Sequence, residues 1–333
     1  MEDNQKGQLL VKKVDYKKQK RRRKITEKIF IILLLLYPIL HWVIFWLYTN
    51  LRTFALPFLD WNYWEARYEF PHPEGLFYNF KRQIESFLIV DTSGNHLTVY
   101  RAFFNTFHAL AINLMLLPLA TIIGFALAKH VPGEKFFRVV FFLPNILSTV
   151  VLCLAFRFMF EANDALFIGP GAKLLQFLGF NFDGWNILNK TRIWTLIYIF
   201  CIWAGLSINV VIISSAFQRI PTEIIEAARM DGIGFFQEFF KIGVPLIMPT
   251  ITTFLVNAIT AVTVFYLQPY LLLGGYEGGY ETIPWLIFNW AQEADQSKYI
   301  LIATIGIMFS AIMFPIILLA RFIGRKLTPD VEF

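Results

Sequence analysis

The chain is poor in charge and almost free of cysteine. Of its 333 residues, 16% are Asp, Glu, Lys or Arg, where soluble domains carry about a quarter. That shortage excludes an ordinary soluble chain of one or two domains. The two cysteines, Cys153 and Cys201, offer neither a disulfide framework nor a zinc site. Both lie in apolar stretches and read as small fillers. No G-x-x-x-x-G-K-[ST], H-E-x-x-H or G-x-S-x-G occurs, so this chain supplies no ATP site and neither of those hydrolytic sites. "GPGAKLL" at Gly169–Leu175 has the wrong spacing for a phosphate loop and lacks Ser or Thr after Lys173. Carboxylates are nearly missing from the apolar blocks, which argues against a proton-coupled carrier. His41 and His108 are the titratable exceptions there, and each reads as packed or hydrogen-bonded to a neighbour.

What is abundant is apolar and aromatic surface, at 56% and 17% of the residues. It comes in six blocks: Ile29–Tyr48, Asn105–Ala128, Val139–Phe160, Ile193–Ala216, Pro245–Leu273 and Tyr299–Phe322. A bilayer needs about 20 apolar residues per helical crossing. Backbone groups in hydrocarbon must bond internally, and no alternating barrel pattern is present, so each block is expected to be helical. Pro38, Pro118 and Pro315 fall inside blocks, where neighbouring helices can tolerate them. The expected class is an all-α integral membrane protein with six transmembrane helices.

Orientation follows from basic residues. The segment before the first block holds eleven Lys and Arg, with "KKQKRRRK" at Lys17–Lys24. With both termini inside, 20 of the 30 Lys and Arg face the cytoplasm and nine face outward, Arg157 lying in a block. The positive-inside rule predicts this arrangement. The basic cluster reads as a topology anchor rather than a nucleic-acid patch, although anionic lipid is a natural neighbour for it. It does not read as a cleaved secretory signal, because the apolar stretch is too long and no small-residue cleavage site follows. The chain therefore divides into a basic tail (1–28), a first span (29–48), an outer aromatic-rich segment (49–102), a five-span core (103–323) and a short tail (324–333). In the outer segment Trp61, Tyr63, Trp64, Tyr68 and Phe70 lie close together, as an interfacial belt or as a surface for a partner or sugar rings.

One short stretch is charged where its surroundings are apolar. "PTEIIEAARMDG" at Pro221–Gly232 follows the fourth block. Pro221 suits a helix start, and Glu223 and Glu226 sit where the helix dipole favours anions. Ile224, Ile225 and Ala228 give one apolar side, and Asp231-Gly232 is a turn dipeptide. A second short helix is expected over Phe235–Gly243. The cytoplasmic loop 217–244 thus reads as a helix–turn–helix projection suited to docking.

These residues resemble the EAA motif of ABC-importer permease subunits. Glu226, Ala227, Ala228, Gly232, Ile242 and Pro245 match it, and Asp231 falls within it; Val244 stands where Leu is commoner. "NTFHALAINLMLLPLATIIGFALAKH", "RVVFFLPNILSTVVLCLAFRFMF" and "WAGLSINVVIISSAFQRIPTEIIEAARMDG" are similar to the family's core spans. "LLLGGYEGGYET" resembles a stretch after the fifth, with "GGYEGG" in place of Gly-Gly-Pro. The set points to carbohydrate-type importers, resembling maltose, glycerol-phosphate and polysaccharide permeases of the bacterial cytoplasmic membrane.

The resemblance implies partners: a second permease, two cytoplasmic ATPase subunits carrying ATP and magnesium, and an extracellular substrate-binding lipoprotein. It implies no cofactor in this chain and no nucleic acid. Glu226 would meet a basic residue of the ATPase, and ATP-driven closure would tilt the spans in alternating access. Mid-span polar residues suited to a neutral solute are Asn113, Trp203, Asn209, Asn257, Thr260, Tyr266 and Gln268. Each could instead be glue between helices. Import of peptide or amino acid, a membrane-embedded enzyme and a secondary carrier remain as alternatives, although no catalytic constellation occurs.

Overall fold

The computed structural model describes residues 2–70, 73–88, 98–163, 167–179, 193–274, 279–293 and 295–328, with side chains from Lys20 onward except at 162–167. The first helix, α1 (Glu2–His41), passes through a π-helical turn (Trp42–Leu47) into α2 (Tyr48–Ala55) and a 3-10 turn at Leu56–Phe58. The first span, expected to end at Tyr48, therefore belongs to one helix over Lys20–Phe58, with none of its apolar window buried. Polar residues past Tyr48 do not end it because they bond back onto it. Thr49 Oγ1 donates to Phe45 O at 3.0 Å and Asn50 Nδ2 to Trp46 O at 2.7 Å.

The outer segment then forms a hairpin, β1 (Asp60–Asn62) against β2 (Arg67–Glu69), followed by α3 (Tyr78–Leu88). Buried Asn79 fixes α3 by donating to the carbonyls of Pro57 and Leu59 at 3.0 and 2.9 Å.

The core is built on α4 (Thr98–Ala128) and α8 (Ile193–Gln218), which pack along their lengths. Two glycines bring them close: a Cβ on Gly205 would lie 2.7 Å from Leu116 Cδ1, and one on Gly124 2.9 Å from Ile213 Cγ2. Small residues at such contacts are how helices approach in a membrane, where dispersion rather than hydrophobicity holds them.

The third block is not one helix. α5 (Glu134–Ile146) and α6 (Thr149–Phe160) meet at 102°. Leu147 and Ser148 are extended, and Ser148 Oγ accepts the N–H of Val151 at 3.3 Å, so a new helix starts there. A second hairpin, with two-residue strands β3 (Ala162–Asn163) and β4 (Phe167–Ile168), and α7 (Pro170–Phe177) follow. Among the described residues there are thus two small hairpins that the sequence pattern does not announce.

The loop after α8 holds α9 (Thr222–Met230) and α10 (Phe235–Glu238), which runs through a π turn (Phe239–Gly243) into α11 (Val244–Leu246). The fifth block bends by 74° before α12 (Met248–Ala261) and breaks again after a 3-10 turn at Val262–Val264. α13 (Leu267–Leu273) resumes beyond Tyr266 and ends at Gly274, φ +70°. A single span over Pro245–Leu273 is therefore corrected to three pieces.

α14 (Ile283–Gln292) and α15 (Gln296–Leu327) complete the fold. Asp295 caps α15: the Ser297 hydroxyl and N–H donate to it at 2.8 and 2.9 Å and hold its carboxyl below the usual range. Among the described residues four helices are long and apolar enough to cross a membrane, and the two bent pairs raise the number to six if each is one span.

Candidate functional site

Two places carry the polar residues singled out by the sequence. The first is a cleft of about 160 Å³ where α4, α8 and α12 converge, lined by Asn113, Asn209, Asn257 and Phe254 among small and aliphatic residues. Three of the seven mid-span candidates therefore meet, each from a different helix. Asn209 Nδ2 is spent on the carbonyl of Gly205, at 2.8 Å within its own helix. Asn113 Nδ2 is buried and finds no hydrogen-bond partner among the described residues. No lining residue is charged. The cleft can offer amide donors and acceptors, and it can neutralise nothing.

The other four candidates lie outside this lining. Trp203 is 44% exposed on α8, beside Phe200. Thr260 is exposed and donates to Val256 O at 2.8 Å within α12. Tyr266 sits at the break before α13 and stacks on Phe288 with centroids 4.6 Å apart. Gln268 Oε1 is buried with no partner among the described residues. His108 stacks on Trp194 at 4.2 Å, and its Nδ1 lies 3.2 Å from the Tyr198 hydroxyl, as a packed histidine does.

The second place is the loop after α8, and here α9 carries Glu226, Ala227 and Ala228. Its end is a Schellman turn: Ile233 N–H donates to Ala228 O at 3.2 Å, Gly232 N–H to Arg229 O at 3.0 Å, and Gly232 takes φ +78°. Glu226, Ala227 and Asp231 are exposed, whereas Ala228 is buried and Ile225 packs on the core. Ile242 lies half-buried in the π turn and Pro245 in α11. Glu226 makes no ion pair among the described residues, so a carboxylate on an ordered helix is left facing outward from the chain.

Sequence reasoning overlooked Glu238 in this loop. It is buried, pairs with Lys129 just past the C-terminal end of α4, and lies 4.0 Å from Arg229 Nε. A carboxylate between two pairs of phenylalanines in "FFQEFFK" was the available signal, since such a group is expected to find a cation.

Of the stretch "LLLGGYEGGYET", residues 275–278 lie outside the described residues. The C-terminal end of that stretch is tied down: Asn105 Nδ2 donates to Gly279 O at 2.8 Å and Glu281 O at 3.0 Å, and Thr282 caps α14.

Known proteins fit this architecture. The chain is 28% identical over 281 residues to the multiple sugar-binding transport system permease protein MsmF of Streptococcus mutans, covering 83% of this chain and 89% of that one. It is 25% identical over 314 residues to the diacetylchitobiose uptake system permease protein NgcF of Streptomyces coelicolor, covering 88% and 84%. A solved bacterial ABC transporter involved in import of the acidic polysaccharide alginate shares the fold, with TM-score 0.72 at 17% identity over 93% of this chain and all of that one. Residues 117–332 match the family described as binding-protein-dependent transport system inner membrane component. That match takes in the α9–α11 loop and, of the cleft asparagines, Asn209 and Asn257, Asn113 lying just before it, and the chain belongs to this family as a membrane permease subunit, not an enzyme.

Proposed function

We propose that this subunit belongs to an ATP-driven importer and passes a neutral carbohydrate, an oligosaccharide or polysaccharide fragment, into the cytoplasm. The observation that carries the reading is the meeting of Asn113, Asn209 and Asn257 in one uncharged cleft. Amides both donate and accept, which matches sugar hydroxyls, and a site without cations gives no reward to a carboxylate or phosphate. The names of relatives from S. mutans and S. coelicolor support sugars. At about 160 Å³ the cleft is smaller than the roughly 300–1,000 Å³ of ordinary ligand pockets. A second permease subunit facing it supplies the remaining wall.

An extracellular binding protein delivers the substrate, and two ATPase subunits hold ATP and magnesium. Each ATPase receives a docking helix, here α9, with Glu226 opposite a basic residue. Nucleotide-driven closure moves α9 and so exposes the cleft to alternate sides. Both termini lie in the cytoplasm in this reading, which the distribution of Lys and Arg favours.

The test is uptake by the co-purified complex in proteoliposomes with its binding protein. Diacetylchitobiose and arabinooligosaccharides serve as neutral probes, and sn-glycerol 3-phosphate and an alginate pentasaccharide as charged ones. ATP-dependent accumulation of a neutral probe with exclusion of both charged ones is expected. Accumulation of a charged probe in preference overturns the neutral-sugar reading, and purification without any ATPase overturns the importer reading.

A further inference from the structure

Glu238 is 6% exposed in a helix whose neighbouring positions are Phe235, Phe236, Phe239 and Phe240. Phe125 of α4 lies 5.1 Å from the Phe235 ring and 5.0 Å from the Phe239 ring, centroid to centroid. Into this aromatic cluster the chain places one buried ion pair, with the exposed Arg229 at its edge. The Glu238 carboxylate pairs with Lys129, and Arg229 Nε of α9 lies 4.0 Å from its other oxygen. The Lys129 ammonium also sits 5.3 Å from the centre of the Phe125 ring.

Apolar side chains of the same volume would stabilise such a cluster at least as well, because buried ions lose their hydration. What ions add is a single permitted arrangement, since removing one member of the buried Glu238–Lys129 pair strands the other. The three segments so joined are the ones that must move together. Lys129 follows the last turn of α4, the helix that carries Asn113; Arg229 belongs to the last turn of α9. Glu238 leads through the π turn toward α12, which carries Asn257. A π turn is a frequent companion of functional sites.

We propose that Glu238 is the positioning residue that transmits displacement of α9 to both walls of the cleft, through Lys129 to α4 and through its own helix to α12. The proposal rests on the importer reading above and adds to it the element that links docking to the pathway.

The experiment uses the co-purified complex bearing Asn257→Cys as a reporter, with a membrane-impermeant maleimide applied from outside after ATP–vanadate trapping. Glu238→Gln, which keeps size and removes charge, is expected to retain the ATPase in pull-down. Trapping-dependent labelling should fall by about thirtyfold or more, the scale at which losing one member of a buried charge pair is felt. Exchanging the charges, Lys129→Glu with Glu238→Lys, should restore at least half of it, which a merely structural role does not predict. Labelling of Glu238→Gln at the unsubstituted level overturns the proposal. So does a loss of ATPase binding together with labelling that the exchange leaves unrepaired, including the case where Glu238→Gln fails to insert and the exchange does not rescue it. If Asn257→Cys ignores trapping with Glu238 intact, the pathway reading fails and this proposal falls with it, a result visible before any substitution at Glu238.

Discussion

The Thr282 hydroxyl donates to the backbone carbonyl of Phe265 at 2.8 Å and accepts the N–H of Trp285 at 3.3 Å. Phe265 is where the fifth span leaves its 3-10 turn, with φ −81° and ψ 77°. A carbonyl freed from a helix inside a membrane protein needs another partner. Thr282 is fully buried, so one side chain both closes that break and starts α14.

Thr282→Val keeps the shape and removes the hydroxyl. It leaves a buried carbonyl unpaired and α14 uncapped, a loss of about 1–3 kcal/mol for the unpaired group and about 1 kcal/mol for the cap. The expected result is a lower thermal midpoint of the purified complex in detergent, with Thr282→Ser close to the parent. Equal midpoints for the valine and serine variants would show that the hydroxyl does not hold the break.

Single cysteines test orientation. At Asp295 a cysteine should react with an impermeant maleimide applied to intact cells. At Gln218 or Lys326 it should react only after permeabilisation. The opposite pattern would invert the protein and remove α9 from the side where ATP is present.

The loop after α8 was legible in the sequence because its signals are local. Pro221 before a charged helix, the dipole-favoured glutamates and the Asp231-Gly232 turn each act within a few residues, and α9 runs over Thr222–Met230. The breaks in the third and fifth spans were hidden because hydropathy is the same on both sides of a bend. Ser148 as a helix cap, and Pro245 and Pro249 flanking the 74° kink, were the local clues. Which polar residues share a cleft is a matter of helix crossing. Asn113, Asn209 and Asn257 are far apart in the chain and meet only because α4, α8 and α12 converge. Thr260 lies three residues from Asn257 and stays outside.

Within the cleft the three asparagines are unequal. The Asn113 amide nitrogen has no partner among the described residues, whereas that of Asn209 is already bonded within α8. Losing one hydrogen bond to substrate is worth about 0.5–1.5 kcal/mol, so Asn113→Ala and Asn257→Ala should each lower neutral-oligosaccharide uptake by a factor of roughly 2–10. Asn209→Ala should do less, and Thr260→Ala should transport as the parent does. Complex assembly should be unchanged throughout. If Asn113→Ala and Asn257→Ala both transport normally, these side chains are helix glue and the cleft is not the path.

Glu226 separates docking from folding. It is exposed on α9 and has no ion-pair partner among the described residues, so its loss should barely affect the chain itself; even paired, exposed charges contribute only about 0–1 kcal/mol. At a desolvated subunit interface the loss of one charge partner costs roughly 2–5 kcal/mol. Glu226→Lys should therefore insert and survive purification like the parent while retaining much less ATPase in pull-down, with ATP hydrolysis no longer stimulated by substrate in proteoliposomes. Gly232 gives a second route to the same outcome. Its φ of +78° meets open space on the Cβ side, so a substitution there acts through backbone strain and not through a clash. Gly232→Val should disturb the Schellman turn that sets α9 against α10, and Gly232→Asn, which tolerates the left-handed region, should be milder. Should Glu226→Lys hold the ATPase and couple hydrolysis as well as the parent, α9 is not the docking element, and the mechanical reading of this loop fails with it.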